Sequence, residues 1–147
     1  MILTFDTADD CLTAHFLKEW GDRTPVILKN QKQEDIPQSA DAWCRYAVLM
    51  TASAQDSYGT EGNRRFVRMG RVFVQIFVRV GNLTSLMNEL SAKVVEIYEN
   101  VNLNPVRVRL ISQQDLPDGS SREAKVTGDG SWFGTLINVQ FAFDEVK

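Results

Sequence analysis

One segment limits the fold of this 147-residue chain more than any other, the run from Phe66 to Val80. Phe66, Val72, Val74, Ile76, Val78 and Val80 fall on one side of an extended backbone. Val67, Met69, Arg71, Phe73, Gln75, Phe77 and Arg79 fall on the other. A period of two, with one apolar side and one mixed side, is the pattern of a strand whose first face lies on a core and whose second is partly exposed. Gly70 interrupts the run and is expected to mark a bulge or bend.

The neighbouring segments supply partners for that strand. Trp43 to Thr51 is aromatic and β-branched, and a loop over 52–65 with Gly59 and Gly62 joins it to the long strand as a hairpin. Val106, Val108 and Leu110 alternate with Arg107 and Arg109, the mark of a half-buried strand. Phe133, Ile137, Val139, Phe141 and Phe143 alternate with Trp132, Leu136, Asn138 and Gln140 in a last strand. A short strand is expected over Pro25–Lys29.

Two segments have helical spacing. Ala8, Leu12, Phe16 and Trp20 recur every four residues over 7–20. Thr7 is expected to cap this helix, with Asp9 and Asp10 in its first turn, and Gly21 and Pro25 end it. Leu83, Leu86, Met87, Leu90, Val94, Ile97 and Tyr98 give a second helix over about 84–100. Residues 30–41 and 113–131 read as polar surface loops. The expectation is one α+β domain spanning 1–147, a mostly antiparallel β-sheet with two helices packed on one face.

Composition narrows the function classes. Hydrophobic residues at 44% and charged residues at 24% suit a folded globular chain and exclude global disorder. No apolar run approaches ~18 residues, and the start lacks a basic segment ahead of Asp6, Asp9 and Asp10, so neither a membrane span nor a secretory signal is expected. Cys11 and Cys44 form no CxxC and read as small thiols of a reducing compartment, although pairing stays open.

The net charge of −3 is unevenly spread. Residues 1–42 hold eight acids and four bases, and residues 113–147 hold six acids and three bases. Between them, residues 43–80 hold two acids and six arginines without a lysine. That arrangement suits contacts between copies as well as it suits nucleic acid.

Catalytic patterns are missing from the sequence. The single histidine, His15, sits in the first helical segment beside Phe16 and reads as a helix-surface or boundary residue. No Cys or His cluster has metal-ligand spacing, and no GxxxxGK[ST], GxGxxG or GxSxG occurs. Asp115, Asp118 and Asp129 share a loop without the EF-hand spacing and read as solvated, and Asp144 and Glu145 read as a solvated terminus. No enzyme activity, metal or cofactor is expected.

The sharpest polar feature is Arg64, Arg65, Arg68 and Arg71, interleaved with Phe66 and Phe73. Alternation puts Arg64 and Arg68 on one face and Arg65 and Arg71 on the other, with their charges beyond the edge of the core. Three readings stay open for them: contacts to a subunit or partner, a solvated hairpin end, or phosphate contact. In the first reading the acidic end segments of an adjacent copy supply the carboxylates.

Three segments carry a resemblance. The first is Phe16-Leu17-Lys18-Glu19-Trp20 followed by Thr24-Pro25-Val26. The second is Trp43 to Val48, then Arg64 through Val78 with Gly81 after it. The third is Gly130-Ser131-Trp132-Phe133, continuing through Asn138-Val139 to Phe141-Ala142-Phe143-Asp144-Glu145. In this order and spacing they resemble the bacteriophage tail terminator-like family.

The resemblance implies a non-enzymatic structural subunit of the virion tail, assembled in the host cytoplasm. It implies a homo-oligomeric ring, usually a hexamer, on the head-proximal end of the tail tube. Such a ring stops addition of tube protein and offers a head-joining surface, so the implied partners are other copies, the tail tube protein and the head-completion or connector protein. No sequence-specific nucleic acid or membrane is implied, although DNA passes through such a ring. The alternatives are another neck or tail-completion protein and, from a different class, a small-molecule-binding or enzymatic α+β domain.

Overall fold

The computed structural model describes residues 4–28, 42–55, 57–79, 84–99, 103, 106–115 and 132–147. Along the chain run α1 (Phe5–Trp20), β1 (Val26–Leu28), β2 (Ala42–Gln55), β3 (Arg65–Arg79), α2 (Thr84–Tyr98), β4 (Arg107–Asp115) and β5 (Trp132–Val146). The strands form one sheet in the order β1-β2-β3-β5-β4. Only the short β1–β2 pair is parallel, and the other three pairs are antiparallel. The α+β architecture read from the alternation is thus present, with both helices on one face.

That face carries the main core. Val72, Val74, Ile76 and Val78 of β3 and Ile137, Val139, Phe141 and Phe143 of β5 are buried there, as their alternation requires. The α1 stripe Ala8, Leu12, Phe16 and Trp20 is fully buried against them, and α2 adds Met87, Leu90, Val94, Ile97 and Tyr98. Phe16 stacks on Tyr46 at 4.7 Å and on Trp20 at 5.4 Å. The buried indole N–H of Trp20 donates to Thr24 Oγ1 at 3.1 Å, so its burial leaves no orphan donor.

Helix α1 begins earlier than the sequence pattern suggests. Thr4, not Thr7, is the N-cap, and the two threonines form a reciprocal capping box. The Thr4 backbone N–H donates to Thr7 Oγ1 at 2.9 Å, and the Thr7 N–H donates to Thr4 Oγ1 at 3.4 Å. The first-turn acid is therefore Asp6, and Asp9 lies further along, accepting from Thr13 Oγ1 at 2.9 Å. At the other end Gly21 adopts a φ of 63° and donates its N–H to Leu17 O, which closes the last turn.

Two strands depart from their sequence readings. β2 continues through Ala52–Gln55, which read as loop, because these residues pair with Phe66–Met69 across a register shift at Thr51. Ala-Ser-Ala-Gln has no strand preference of its own, and the partner strand imposes the extension. In β4 a register shift at Arg109 reverses the alternation. Val108 faces the core, but Leu110 is 53% exposed and Ile111 packs on the core in its place. β4 also runs on to Asp115, into the expected loop.

The opposite sheet face bears a small second cluster of Ile27, Trp43 and Phe77, with the two aromatic rings stacked at 4.4 Å. Phe77 was expected on a partly exposed face and is fully buried. Among the described residues no helix is long and apolar enough to cross a membrane. The expected loop over 30–41 lies outside the described residues, as do most of 113–131, Asp118 and Asp129.

Candidate functional site

The arginine segment occupies the start of β3, where β2, β3 and β5 run on beyond the helices. Parity along β3 separates its members as expected. Arg68 shares the helix-side face with Ser53 and Phe143 in the ladder, and Arg65 and Arg71 lie on the outer face.

Their partners come from the same chain. Arg68 Nε donates to Glu145 Oε2 at 2.9 Å, and both side chains are 15% exposed. The Arg68 guanidinium also lies 4.9 Å from the Phe66 ring centre and donates to Ser53 Oγ. Arg65 pairs with Asp144 at 3.1 Å from a half-exposed position, and its backbone N–H donates to Ser57 Oγ at 2.9 Å. Arg64 is exposed, and its Nε donates to Gly59 O at 3.2 Å across the hairpin end. Arg71 is half-buried in the outer row Leu49–Arg71–Gln140–Leu110 and has no ion pair or hydrogen bond from its side chain among the described residues.

A fifth arginine joins the group. Arg107, from the far strand β4, donates two hydrogen bonds to Asp144 at 3.2 and 3.3 Å. Asp144 is thus shared by Arg65 and Arg107. Partial burial opposes its charge, but the Arg107 hydrogen bond and the Arg107 and Arg65 charges outweigh it and hold the carboxyl below its ordinary 3.8. Asp144 and Glu145 are strand residues that neutralise arginines, where the sequence suggested a solvated terminus. The sign pattern pointed to acids in 113–147, but which acids pair, and that they do so within one chain, needed the β3–β5 register.

In this group the five arginines Arg64, Arg65, Arg68, Arg71 and Arg107 stand against the two carboxylates of Asp144 and Glu145, so positive charge predominates among them. The Arg71 guanidinium, with five N–H donors, has no described side-chain bond to use them. The surface can therefore take carboxylates or other oxyanions from outside.

Elsewhere among the described residues, several polar groups join elements of the core. His15 Nε2 donates to the Ile97 carbonyl at 2.9 Å and joins α1 to the end of α2. The Tyr46 and Tyr98 hydroxyls lie 3.2 Å apart, and burial pushes Tyr46 up to about 12. Burial likewise pushes the Cys44 thiol up to about 12, against a weaker opposing hydrogen bond with Thr24. Cys11 and Cys44 are both free thiols. Among the described residues no group of three or more His, Cys, Asp or Glu side chains could hold a metal ion.

The fold is shared with solved proteins. One solved chain superposes with a TM-score of 0.59 at 23% identity, over 91% of this chain and 94% of its own length. At that identity the likeness shows the fold alone. No family model and no curated protein matches the chain.

Proposed function

We propose that this chain is a structural subunit that caps the head-proximal end of a phage tail tube as an oligomeric ring, stopping tube growth and giving the head a surface to join. The observation that carries the reading is the ordered set of three terminator-like segments, Phe16–Val26, Trp43–Val78 and the run ending at Glu145. In the fold they become the end of α1 with the start of β1, the β2–β3 hairpin, and β5. The second and third segments thus form the centre of one sheet, whose outer face no described helix covers.

A capping subunit needs surfaces and no reaction centre. Arg64, Arg65, Arg68 and Arg71 are the proposed contact residues. Arg71 is the most informative of them, because its charge has no described intrachain partner to satisfy. The pairs of Arg65 and Arg107 with Asp144 lie on the same outer face, and the Arg68–Glu145 pair lies on the helix side.

Deletion of the gene from the phage or prophage genome that carries it tests the reading. The expected result is overlong or headless tails, with normal tails restored by the wild-type chain supplied in trans. Arg71→Glu supplied in trans should restore them poorly while melting like the wild type. Tails of normal length and joining in the deletion would refute the proposal.

A further inference from the structure

Among the described residues, both margins of the sheet have unpaired edges. β4 pairs only with β5, and β2 beyond Tyr46 pairs only with β3 among the described residues. Long unpaired strand edges are templates for another chain. These two also carry apolar side chains in the open: Leu49 and Met50, at 36% and 41% exposure, on the β2 edge and Leu110 on the β4 edge.

Their directions match. β2 is antiparallel to β3, β3 to β5 and β5 to β4, so β4 runs opposite to β2. Copies repeated side by side around an axis would therefore bring β4 of one against β2 of the next as an antiparallel pair. Leu49, Arg71, Gln140 and Leu110 lie in one row across the sheet, and an in-register junction continues that row from Leu110 to Leu49 of the next copy.

The helix side of each margin has a groove. Between α2 and β4 a groove of about 490 Å³ is bordered by Val95, Tyr98, Glu99, Ile111 and Arg109. Between α1 and β2 a groove of about 230 Å³ is bordered by Asp9, Asp10, Thr13 and Val48. Arg109 is exposed at the β4 bulge and has no ion pair among the described residues. Val48 and Ile111 share a row, so an in-register junction sets Ile111 level with Val48 at the acidic groove, with Arg109 two residues further along the strand.

We propose that copies of this chain join head to tail through these margins, with Arg107–Ser112 of β4 in one copy pairing antiparallel with Ala47–Ala52 of β2 in the next, clear of β1, and Arg109 reaching the groove of Asp9 and Asp10. This junction rests on the ring reading above and adds which surfaces close the ring. It is heterologous, so its repetition can close into a cycle.

The test is a disulfide across the junction in the full chain, carrying Leu49→Cys and Leu110→Cys in a Cys11→Ser background. Directly opposed residues of an antiparallel pair have Cα atoms about 4.5–5.5 Å apart, within reach of a disulfide. Oxidation of assembled protein, alone at high concentration or on purified tail tubes, should give a ladder of covalent multimers. Asp10→Arg and Arg109→Glu alter exposed side chains and should each weaken assembly roughly tenfold or more, and the two together in one chain should restore it. Rings that form without the cross-link, and are indifferent to both charge reversals, would overturn this junction and leave the ring reading standing. A chain that forms no oligomer at high concentration or on tubes would overturn both.

Discussion

Gly70→Ala is the substitution whose cost the structure fixes most tightly. Gly70 sits mid-strand in β3, paired with Met50 beside the β2 bulge and with Phe141 on the other side. A Cβ there would lie 2.5 Å from Phe141 Cζ and 2.6 Å from the Leu49 carbonyl oxygen. Ordinary contacts between carbon atoms are about 3.5–4.0 Å, so the neighbours must yield by about 1 Å. The Phe141 ring is fully buried, and the Leu49 oxygen is backbone held at the margin of a ladder. Overpacking costs typically about 1–3 kcal/mol, and with one wall made of backbone the upper end applies. For a chain of this size about 3 kcal/mol corresponds to a fall in Tm of roughly 6–12 °C. Calorimetry and urea unfolding of the purified variant measure both. Phe141→Leu removes the Cζ contact, so a double-mutant cycle should return a favourable coupling of about 1 kcal/mol or more. A Gly70→Ala protein within about 0.5 kcal/mol of the wild type, or a cycle without coupling, would show that neither Phe141 nor the Leu49 carbonyl confines this position.

Three further outcomes follow from the site. Arg68→Ala strips a partner from the largely covered Glu145 and should cost about 1.5–2 kcal/mol, whereas Arg71→Ala should stay within about 0.5 kcal/mol by thermal melts. The Asp144 carboxyl is held below 3.8, so its stabilising contribution is present above that pH and is lost as the pH falls through the lower folded value; Asp144→Asn should show a shallower loss of Tm on acidification below pH 3.8. With its thiol pushed up to about 12, Cys44 has a thiolate fraction of about one in ten thousand at pH 8, so iodoacetamide should leave it unmodified in the native protein and label it after denaturation.

How far the sequence carried depends on where each signal is stored. The β3 and β5 faces and the α1 stripe were legible because burial repeats with the period of the element. Leu110 was placed on the wrong side because one extra residue at Arg109 shifts every later side chain to the other face, and nothing local announces it. Thr4 and Thr7 are equally good caps by residue type, and only the reciprocal bond decides between them. The arginine faces followed from parity along β3. Their partners did not, because Arg68 and Glu145 are 77 residues apart in sequence and meet only through the β3–β5 register.

Electron microscopy of purified chain mixed with purified tail tubes is the sharpest check on the proposed ring at the tube end. Annular density, with sixfold symmetry in end views, is expected on one end of each tube, with no further growth when tube protein is added. Bare tube ends that keep elongating in the presence of excess chain would rule the capping ring out.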